Sequence, residues 1–174
     1  PKKFPETIRH VAFLSGEKVE SARHTFSNME KIRTYSVVNR PIQQLHVLFS
    51  RIIGIRELTF RDCGLTKLPK EIGNLIHVRY LNLSDNKKLK QLPESMCELY
   101  NLQTLNIERC KSLSRLPHDI SRLINLRHLS MDYVVLEEYP KSLKELTSLR
   151  ELDYFVVGRK LGKLEYLKNF KHLG

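Results

Sequence analysis

The sequence lacks the features that mark several large protein classes. It has no run of about 18 apolar residues, so we predict no membrane-spanning helix. No apolar secretory segment follows the N-terminus, and no initiator Met is present; we interpret the chain as a piece of a longer protein. The three cysteines, Cys63, Cys97 and Cys110, form no CxxC pair. Reduced thiols in a cytoplasmic protein are therefore expected.

Signatures of common catalytic sites are missing as well. The chain has seven histidines, yet no HxxxH or HExxH pair that would suit zinc. A GxSxG motif is also lacking, and Gly158 to Leu164 has the wrong spacing for a phosphate loop. We predict a protein that is not an enzyme, with no catalytic residue, cofactor or metal.

Acidic residues are outnumbered by basic ones. There are 19 acidic against 30 basic residues, for a formal net charge of +11. The excess is spread along the chain and favours an acidic partner, which could be nucleic acid, an anionic membrane surface or an acidic protein face. Charge alone does not choose among these three.

An internal period is the main positive feature. Five segments of the form L-x-x-L-x-L begin at Ile55, Val78, Leu102, Leu126 and Leu149, with spacings of 23, 24, 24 and 23 residues. Two weaker copies begin at Ile8 and Ile32. Side chains two apart in a strand share one face, so each segment predicts a short strand with a buried apolar side.

The remainder of each unit also recurs. A Leu-Pro or Tyr-Pro pair, as in Leu68-Pro69, recurs, and apolar residues follow three and six positions after the proline. Pro suits the first turn of a helix, so this pattern predicts a short helical or 3-10 return. At the position after each strand, a polar side chain could form a hydrogen bond with buried backbone of the turn. The position is occupied by Cys63, Asn86, Cys110, Val134 and Val157. The two valines cannot form such bonds, which predicts looser or drier turns there.

A unit of about 23 residues cannot bury its own apolar face, so such units stack into a solenoid. We predict an α/β fold, a right-handed leucine-rich repeat solenoid with a parallel sheet on its concave face and short helical or 3-10 returns on its convex face. Residues 1–54 are predicted to be an irregular opening segment with two degenerate repeats. Residues 55–158 form the regular repeats, and residues 159–174 begin a further, truncated repeat.

The segment LNLSDNKKLKQLPESMCELYNLQTLNIERCKSLSRLP, with FPETIRHVAFLSGE before it and LGKLEYLKNFKHLG after it, resembles the leucine-rich repeat region of plant intracellular immune receptors. These are the nucleotide-binding disease resistance proteins, and the likeness is to their coiled-coil subgroup. Val134, Val157 and Tyr139 depart from the pattern. The resemblance implies a cytoplasmic, autoregulatory scaffold that senses pathogen effectors or guarded host proteins. It also implies that early repeats pack on the receptor's own nucleotide-binding module.

Strand positions between and beside the apolar residues are expected to face the concave side. We predict that they bind the protein ligand, because mixed polar groups there are interleaved with aromatic and Arg residues, which dominate protein interfaces. They are Glu57, Thr59, Arg61, Asp62, Tyr80, Asn82, Ser84, Asp85, Thr104, Asn106, Glu108, Arg109, His128, Ser130, Asp132, Tyr133, Glu151, Asp153 and Phe155. The alternative is that they are merely solvated strand residues.

A second column carries arginine at the position after the first apolar residue, with Gln103 as the exception. Its members are Arg9, Arg33, Arg56, Arg79, Arg127 and Arg150. Strands lie ~4.8 Å apart, so these charges repel unless paired, and Glu57 and Glu151 are candidate partners. We predict a basic ridge that meets an acidic surface. The alternative is that the stems cover apolar edge while the charged ends stay in water.

Two other functions remain open. The segment LPKEIGNL also suits an intracellular leucine-rich repeat adaptor for small GTPase signalling, although the 24-residue units and the turn cysteines count against it. A nucleic-acid binder is suggested by charge alone. The mixed signs of the strand positions argue against it, because such binders gather basic groups with stacking aromatics. We therefore expect a protein partner and no nucleic acid.

Overall fold

The computed structural model describes residues 7–14, 29–153, 155, 167–168 and 170. Across them a parallel sheet of seven strands runs in chain order. The strands are β1 (His10–Phe13), β2 (Thr34–Val38), β3 (Glu57–Arg61), β4 (Tyr80–Asn82), β5 (Thr104–Asn106), β6 (His128–Ser130) and β7 (Glu151–Leu152). Parallel neighbours need a crossover connection, and each unit supplies one in its return. The predicted solenoid is thereby confirmed.

Strand register follows the sequence repeat without a slip. Leu58 of β3 lies opposite Leu81 of β4, and each later strand continues the column. The two weaker copies obey the same register, with Val11 opposite Tyr35 and Tyr35 opposite Leu58. All seven predicted strands therefore form, because an apolar residue at each inward position is enough to hold the pairing.

The core is built from the inward positions of every unit. In β3 burial alternates, with Leu58 and Phe60 fully enclosed and their neighbours Glu57 and Arg61 exposed. Burying one large apolar side chain contributes roughly 1.5–3 kcal/mol, and the enclosing atoms come from the units on either side. Stability is consequently shared between neighbouring units.

Short helices close each unit. The 3-10 helices span Met29–Lys31, Lys70–Asn74, Glu94–Glu98, Ile120–Arg122 and Lys141–Glu145. Pro69, Pro93 and Pro140 precede three of them in extended conformation, with φ of −71°, −70° and −63°. These values are native to the pyrrolidine ring, and the predicted 3-10 returns are confirmed. In the second unit the return instead contains an α-helix, α1 (Leu45–Phe49).

Aromatic packing replaces leucine in the degenerate units. The rings of Phe13 and Tyr35 lie 5.7 Å apart, and Tyr35 meets Phe60 edge-on at 6.2 Å. Phe49 of α1 approaches Phe60 from the return side at 6.1 Å. Such pairs stabilise beyond their buried area by about 0.5–1.5 kcal/mol. This cluster joins the first two units to the regular repeats.

Two sets of side-chain hydrogen bonds hold the turns, and one of them was predicted from the sequence. Buried Asn86 donates to the carbonyls of Phe60 and Leu83 and accepts from the N–H groups of Cys63 and Leu65. On the other side of each strand, Asn101, Asn125 and Ser148 donate to the carbonyls of Ile76, Tyr100 and Ile124, each at 2.7–2.8 Å. This second ladder was missed, although the recurring Asn or Ser before the first leucine is its signal.

Some predictions stay untested. Val134 is fully buried, and the looser turn expected there remains a prediction. Val157 lies outside the described residues. The division at residues 54 and 158 likewise remains a prediction. Of the expected truncated repeat, residues 167–168 and 170 are described, with Phe170 in the core.

Candidate protein-binding surface

The first column of the strand face is brought together as predicted. Glu57, Tyr80, Thr104, His128 and Glu151 stand opposite one another along the sheet. Neighbours in this column also interact: Thr34 Oγ1 donates to Glu57 Oε2 at 3.3 Å, and His128 Nδ1 lies 2.7 Å from Glu151 Oε2. The two glutamates therefore pair along the column, and not with the arginines beside them. The expected pairing of Glu57 and Glu151 with the basic ridge is wrong.

The second column is partly structural. Asn82 Oδ1 accepts the N–H of Ser84 at 2.9 Å, and Asn106 Oδ1 accepts the N–H of Glu108 at 3.0 Å. These bonds end the strands, because an amide side chain that bonds two residues on offers the backbone a turn. Thr59, Ser130 and Asp153 complete the column at the surface or half-buried. Asn82 and Asn106 thus shape the surface as much as they belong to it.

The third column contains two residues that face inward more than predicted. Ser84 is buried, and Phe155 packs on the core through Tyr139, with ring centroids 4.6 Å apart. Arg61 is exposed, whereas Glu108 and Asp132 are half-buried. Ser84 and Phe155 are accordingly weak candidates for contact with a ligand.

The fourth column does not lie in the strands, and this corrects the prediction. Asp62, Asp85, Arg109 and Tyr133 follow the strand ends and have left-handed backbones, with φ of 49°, 63°, 56° and 59°. Asn39 occupies the equivalent place after β2, with φ of 55°. The region suits Asn, Asp and Gly, so Arg109 and Tyr133 carry backbone strain there. The sequence pattern misses this because neither residue type signals such a turn.

Four residues link into a chain along this edge, which we name the turn-edge cluster: Arg61, Asp85, Arg109 and Tyr133. Arg61 Nε lies 3.0 Å from one oxygen of Asp85, and an Arg109 nitrogen lies 3.9 Å from the other. The Arg109 guanidinium stands 5.7 Å above the Tyr133 ring. Tyr133 is 58% exposed. The arrangement presents two held cations and an aromatic ring to solvent, a combination that recurs at interface anchors.

The predicted basic ridge forms a stacked column through its backbone. From Arg9 to Arg127, the carbonyl of each ridge residue accepts two N–H groups of the next unit, as Arg56 does from Arg79 and Tyr80 at 2.7 and 3.2 Å. Arg33 is tied down as well, because its guanidinium donates to the carbonyls of Glu30, Ile32 and Gly54. Arg9 donates to the carbonyl of Ile8. The members with exposed side chains free of ion pairs, in the part of the chain that the structure describes, are Arg56, Arg79, Arg127 and Arg150.

The three buried cysteines and exposed His118 have raised pKa values. Burial raises the pKa of Cys63, Cys97 and Cys110 to about 12, so each stays a thiol at neutral pH. The hydrogen bond that exposed His118 donates to the Asp119 carboxylate raises the pKa of His118. Among the described residues, no group of three His, Cys, Asp or Glu is placed to hold a metal ion. Nor does the described part contain a helix long and apolar enough to cross a bilayer.

The repeat and the parallel sheet together define a leucine-rich repeat solenoid. The family described as leucine-rich repeat region matches residues 31–174. The chain belongs to this family.

Known proteins share both the sequence and the shape. Over 128 residues, the chain is 53% identical to the "Putative disease resistance protein RGA1" of Solanum bulbocastanum. That match covers 73% of this chain and 13% of the relative, so the chain spans a small part of the relative's length. A leucine-rich repeat protein of Leptospira interrogans superposes with a TM-score of 0.70 at 26% identity, covering 83% of this chain and 42% of that one. A plant peptide hormone receptor, RGFR1 in complex with RGF2, superposes with a TM-score of 0.64 at 23% identity, covering 86% and 25%, and shows the fold alone.

Proposed function

We propose that this chain is the protein-recognition and autoregulatory scaffold of a plant innate immune receptor of the nucleotide-binding leucine-rich repeat type. In the defence response it senses a pathogen effector or a guarded host protein, and it acts in the cytoplasm. The relative that is 53% identical is named as a disease resistance protein, which supports this assignment. The early repeats of the ridge then pack on the nucleotide-binding module of the same receptor.

The turn-edge cluster is the observation that carries the recognition role. Its members follow one another over four consecutive units and are joined by contacts of 3.0, 3.9 and 5.7 Å. Side chains that are already held lose little rotamer freedom on binding, which favours affinity. Arg and Tyr are also the residue types that most often dominate interface energetics. The cluster is therefore the part of the strand face that best suits a protein ligand.

The recognition role can be tested in leaf tissue with the natural protein that carries this chain. A panel of pathogen effectors is co-expressed with it, and cell death is scored together with protein accumulation. We expect Arg109→Gln combined with Tyr133→Ala to abolish the response to the recognised effector at normal accumulation. Arg122→Gln, which breaks an ion pair with Glu98 on the return side, is the matched control and should respond as the wild type does. A full response from the double variant would contradict the proposal.

Autoregulation has a separate test. If the ridge of the early repeats holds the receptor inactive, reversing its charge should release it. We expect Arg9→Glu combined with Arg56→Glu to cause cell death without any effector, because both side chains are exposed at the ridge. Equal charge reversal at Lys87 and Lys88, which lie in an exposed turn, should leave the receptor quiet. A quiet ridge variant would remove the autoregulatory role and leave the recognition role standing.

A further inference from the structure

Exposed apolar side chains form a second row along the sheet, at the edge where the strands begin. Ile53, Ile76, Tyr100 and Ile124 are 52%, 36%, 44% and 62% exposed. Each stands two residues before the first apolar residue of its unit, so the four occupy one repeat position in consecutive units. The ladder in which Asn101 and Asn125 bond the carbonyls of Ile76 and Tyr100 holds them one above another. We name this set the apolar row.

The fold does not require an apolar residue at this position. In the second unit the place is taken by Glu30, and in the seventh unit by Thr147, both of them exposed. The apolar row therefore begins and ends sharply within four units. Single exposed apolar residues are common on protein surfaces and need no explanation, but contiguous apolar surface bounded by polar groups marks interaction sites.

The apolar row runs beside the free part of the basic ridge. Each row member is followed three residues later by a ridge position, so Ile53 accompanies Arg56, Ile76 accompanies Arg79, and Ile124 accompanies Arg127. These arginines are exposed, and within the described residues no ion pair engages them. One edge of the sheet thus presents an apolar row and a cationic row in parallel.

A groove joins the two rows at one end. The groove is open to solvent and has a volume of about 590 Å³. Its lining includes Ile53 and Ile76 from the apolar row, Arg33 and Arg56 from the ridge, and Glu30 and His77. A concave site of this kind accepts a projecting side chain, which a flat bilayer surface does not offer.

We propose that this edge is a docking site for an acidic amphipathic helix of a partner protein. The apolar face of the helix lies on the apolar row, and its flanking carboxylates meet Arg56, Arg79 and Arg127. The four row members span about 15 Å at the ordinary strand spacing, which roughly ten residues of α-helix match. The proposal does not depend on the immune function, because a repeat scaffold in any pathway could use this edge.

The exposed arginines favour an acidic helix over a second copy of the chain or a nucleic acid. A second copy of the chain would bring its own arginine column against this one, and like charges at close range repel. A nucleic acid would favour stacking aromatics between the cations, whereas Tyr100 is the one aromatic residue of the apolar row, and Gln103 interrupts the arginines. An acidic helix satisfies the apolar row and the charges together.

The proposal is tested with synthetic peptides and the full 174-residue chain. The probe is a designed helix of about 18 residues, five turns long, with leucine along one face and glutamate on both flanks. A second peptide replaces every glutamate by lysine. Fluorescence anisotropy should report a Kd on the order of 10 μM for the acidic peptide, weakening as salt is added, and no binding of the lysine peptide.

Two double variants locate the site. Ile76→Ser combined with Ile124→Ser, and Arg79→Gln combined with Arg127→Gln, should each weaken acidic-peptide binding by about tenfold or more. Lys87→Gln combined with Lys88→Gln, in an exposed turn outside both rows, removes the same amount of charge as the arginine variant. It is the matched control and should bind as the wild type does. Circular dichroism confirms that each variant is folded.

Three results would overturn the proposal. The first is equal binding of the acidic and lysine peptides, or no binding of either. The second is unchanged affinity in both edge variants. The third is that phosphatidylserine vesicles or a DNA duplex bind more tightly than the acidic peptide and respond to the same variants, which would assign the edge to a membrane or to nucleic acid. None of these results bears on effector recognition at the turn-edge cluster.

Discussion

Asn86 accepts the backbone N–H of Cys63, one unit earlier in the chain, through its side-chain oxygen at 3.0 Å. The same oxygen accepts the N–H of Leu65, and the amide nitrogen donates to the carbonyls of Phe60 and Leu83. Asn86 is fully buried. One side chain therefore satisfies four backbone groups of two adjacent turns that water does not reach.

Replacing Asn86 by Ala should lower the free energy of unfolding by about 3–4 kcal/mol. Two N–H groups and the Phe60 carbonyl would lose their partner in the interior, and each unsatisfied buried group costs roughly 1–3 kcal/mol unless water enters. Denaturant unfolding followed by circular dichroism measures the change. Asn101→Ala, which loses one bond to the Ile76 carbonyl, is the control and should cost about 1 kcal/mol. Equal losses of unfolding free energy for the two variants would show that the buried hydrogen bonds of Asn86 stabilise the fold no more than the exposed bond of Asn101.

Tyr133 offers a test of backbone strain. Its φ of 59° is left-handed, a region that Asn tolerates better than other non-glycine residues. Tyr133→Asn and Tyr133→Ala both remove the ring and its contact with Arg109, so their difference isolates the backbone. We expect the Asn variant to be the more stable by about 0.5–1 kcal/mol in thermal unfolding. At Thr104, inside a strand, Asn should gain no such advantage over Ala. An Ala variant as stable as the Asn variant at position 133 would contradict the assignment of strain.

The strained positions show where sequence reasoning succeeds and where it fails. Burial repeats with the period of the chain, so Leu58, Leu81 and their equivalents were predictable, together with the strand register and the Leu-Pro returns. A left-handed residue is predictable where Asn or Gly stands, but Arg109 and Tyr133 carry no such signal. Residues that break a local rule concentrate at functional sites, and both of these belong to the turn-edge cluster.

Side-chain pairing was also beyond the sequence. Glu57 follows Arg56 in the chain and lies opposite Thr34 of the neighbouring strand. The rotamer of Glu57 decides which of the two its carboxylate contacts. It meets Thr34.

The apolar row was missed for a different reason. In a repeat, apolar residues are expected to point inward, so Ile76 and Ile124 are indistinguishable from core until exposure is known.

The thiols should make the fold sensitive to alkaline pH. Burial raises the pKa of Cys63, Cys97 and Cys110 to about 12, whereas the ordinary pKa of a thiol is 9.0. A raised folded-state pKa means that the stabilising contribution is complete below pH 9.0 and is lost as pH rises toward 12. We expect the free energy of unfolding to fall steadily over this window. Cys97→Ala should lessen the slope, whereas a substitution of exposed Lys87 should not.

Reactivity provides a second readout of the same burial. At pH 8, a thiol reagent such as dithionitrobenzoate should label the native chain slowly and label all three cysteines after unfolding in guanidinium, because the thiolate is the reacting species. Rapid labelling of the native chain would mean that the cysteines are reached by solvent, and it would invalidate the alkaline prediction.

Gly73 marks a close approach of two returns. A Cβ placed there would stand 2.5 Å from the backbone oxygen of Ser95 and 3.0 Å from its Cβ. Ser95 is held in that position, since its hydroxyl donates to the Lys70 carbonyl at 2.7 Å. Gly73→Ala should therefore lower the free energy of unfolding by about 1–3 kcal/mol, even though Ala reduces the entropy of the unfolded chain and by itself would stabilise. Denaturant unfolding decides the sign.

Gly64 separates crowding from conformation in that experiment. It has a φ of 65°, and a Cβ there would meet no atom of the described residues within 4 Å. Gly64→Ala should cost about 1 kcal/mol through backbone strain alone, whereas the loss at position 73 arises from contact with Ser95. Combining Gly73→Ala with Ser95→Gly removes the Ser95 Cβ, one of three Ser95 atoms within 3.2 Å of the added Cβ, and frees the backbone to move. The combination should therefore recover part of the loss. The same Ser95→Gly change made with Gly64→Ala should recover nothing, and recovery there would show that the two returns are not in the contact described.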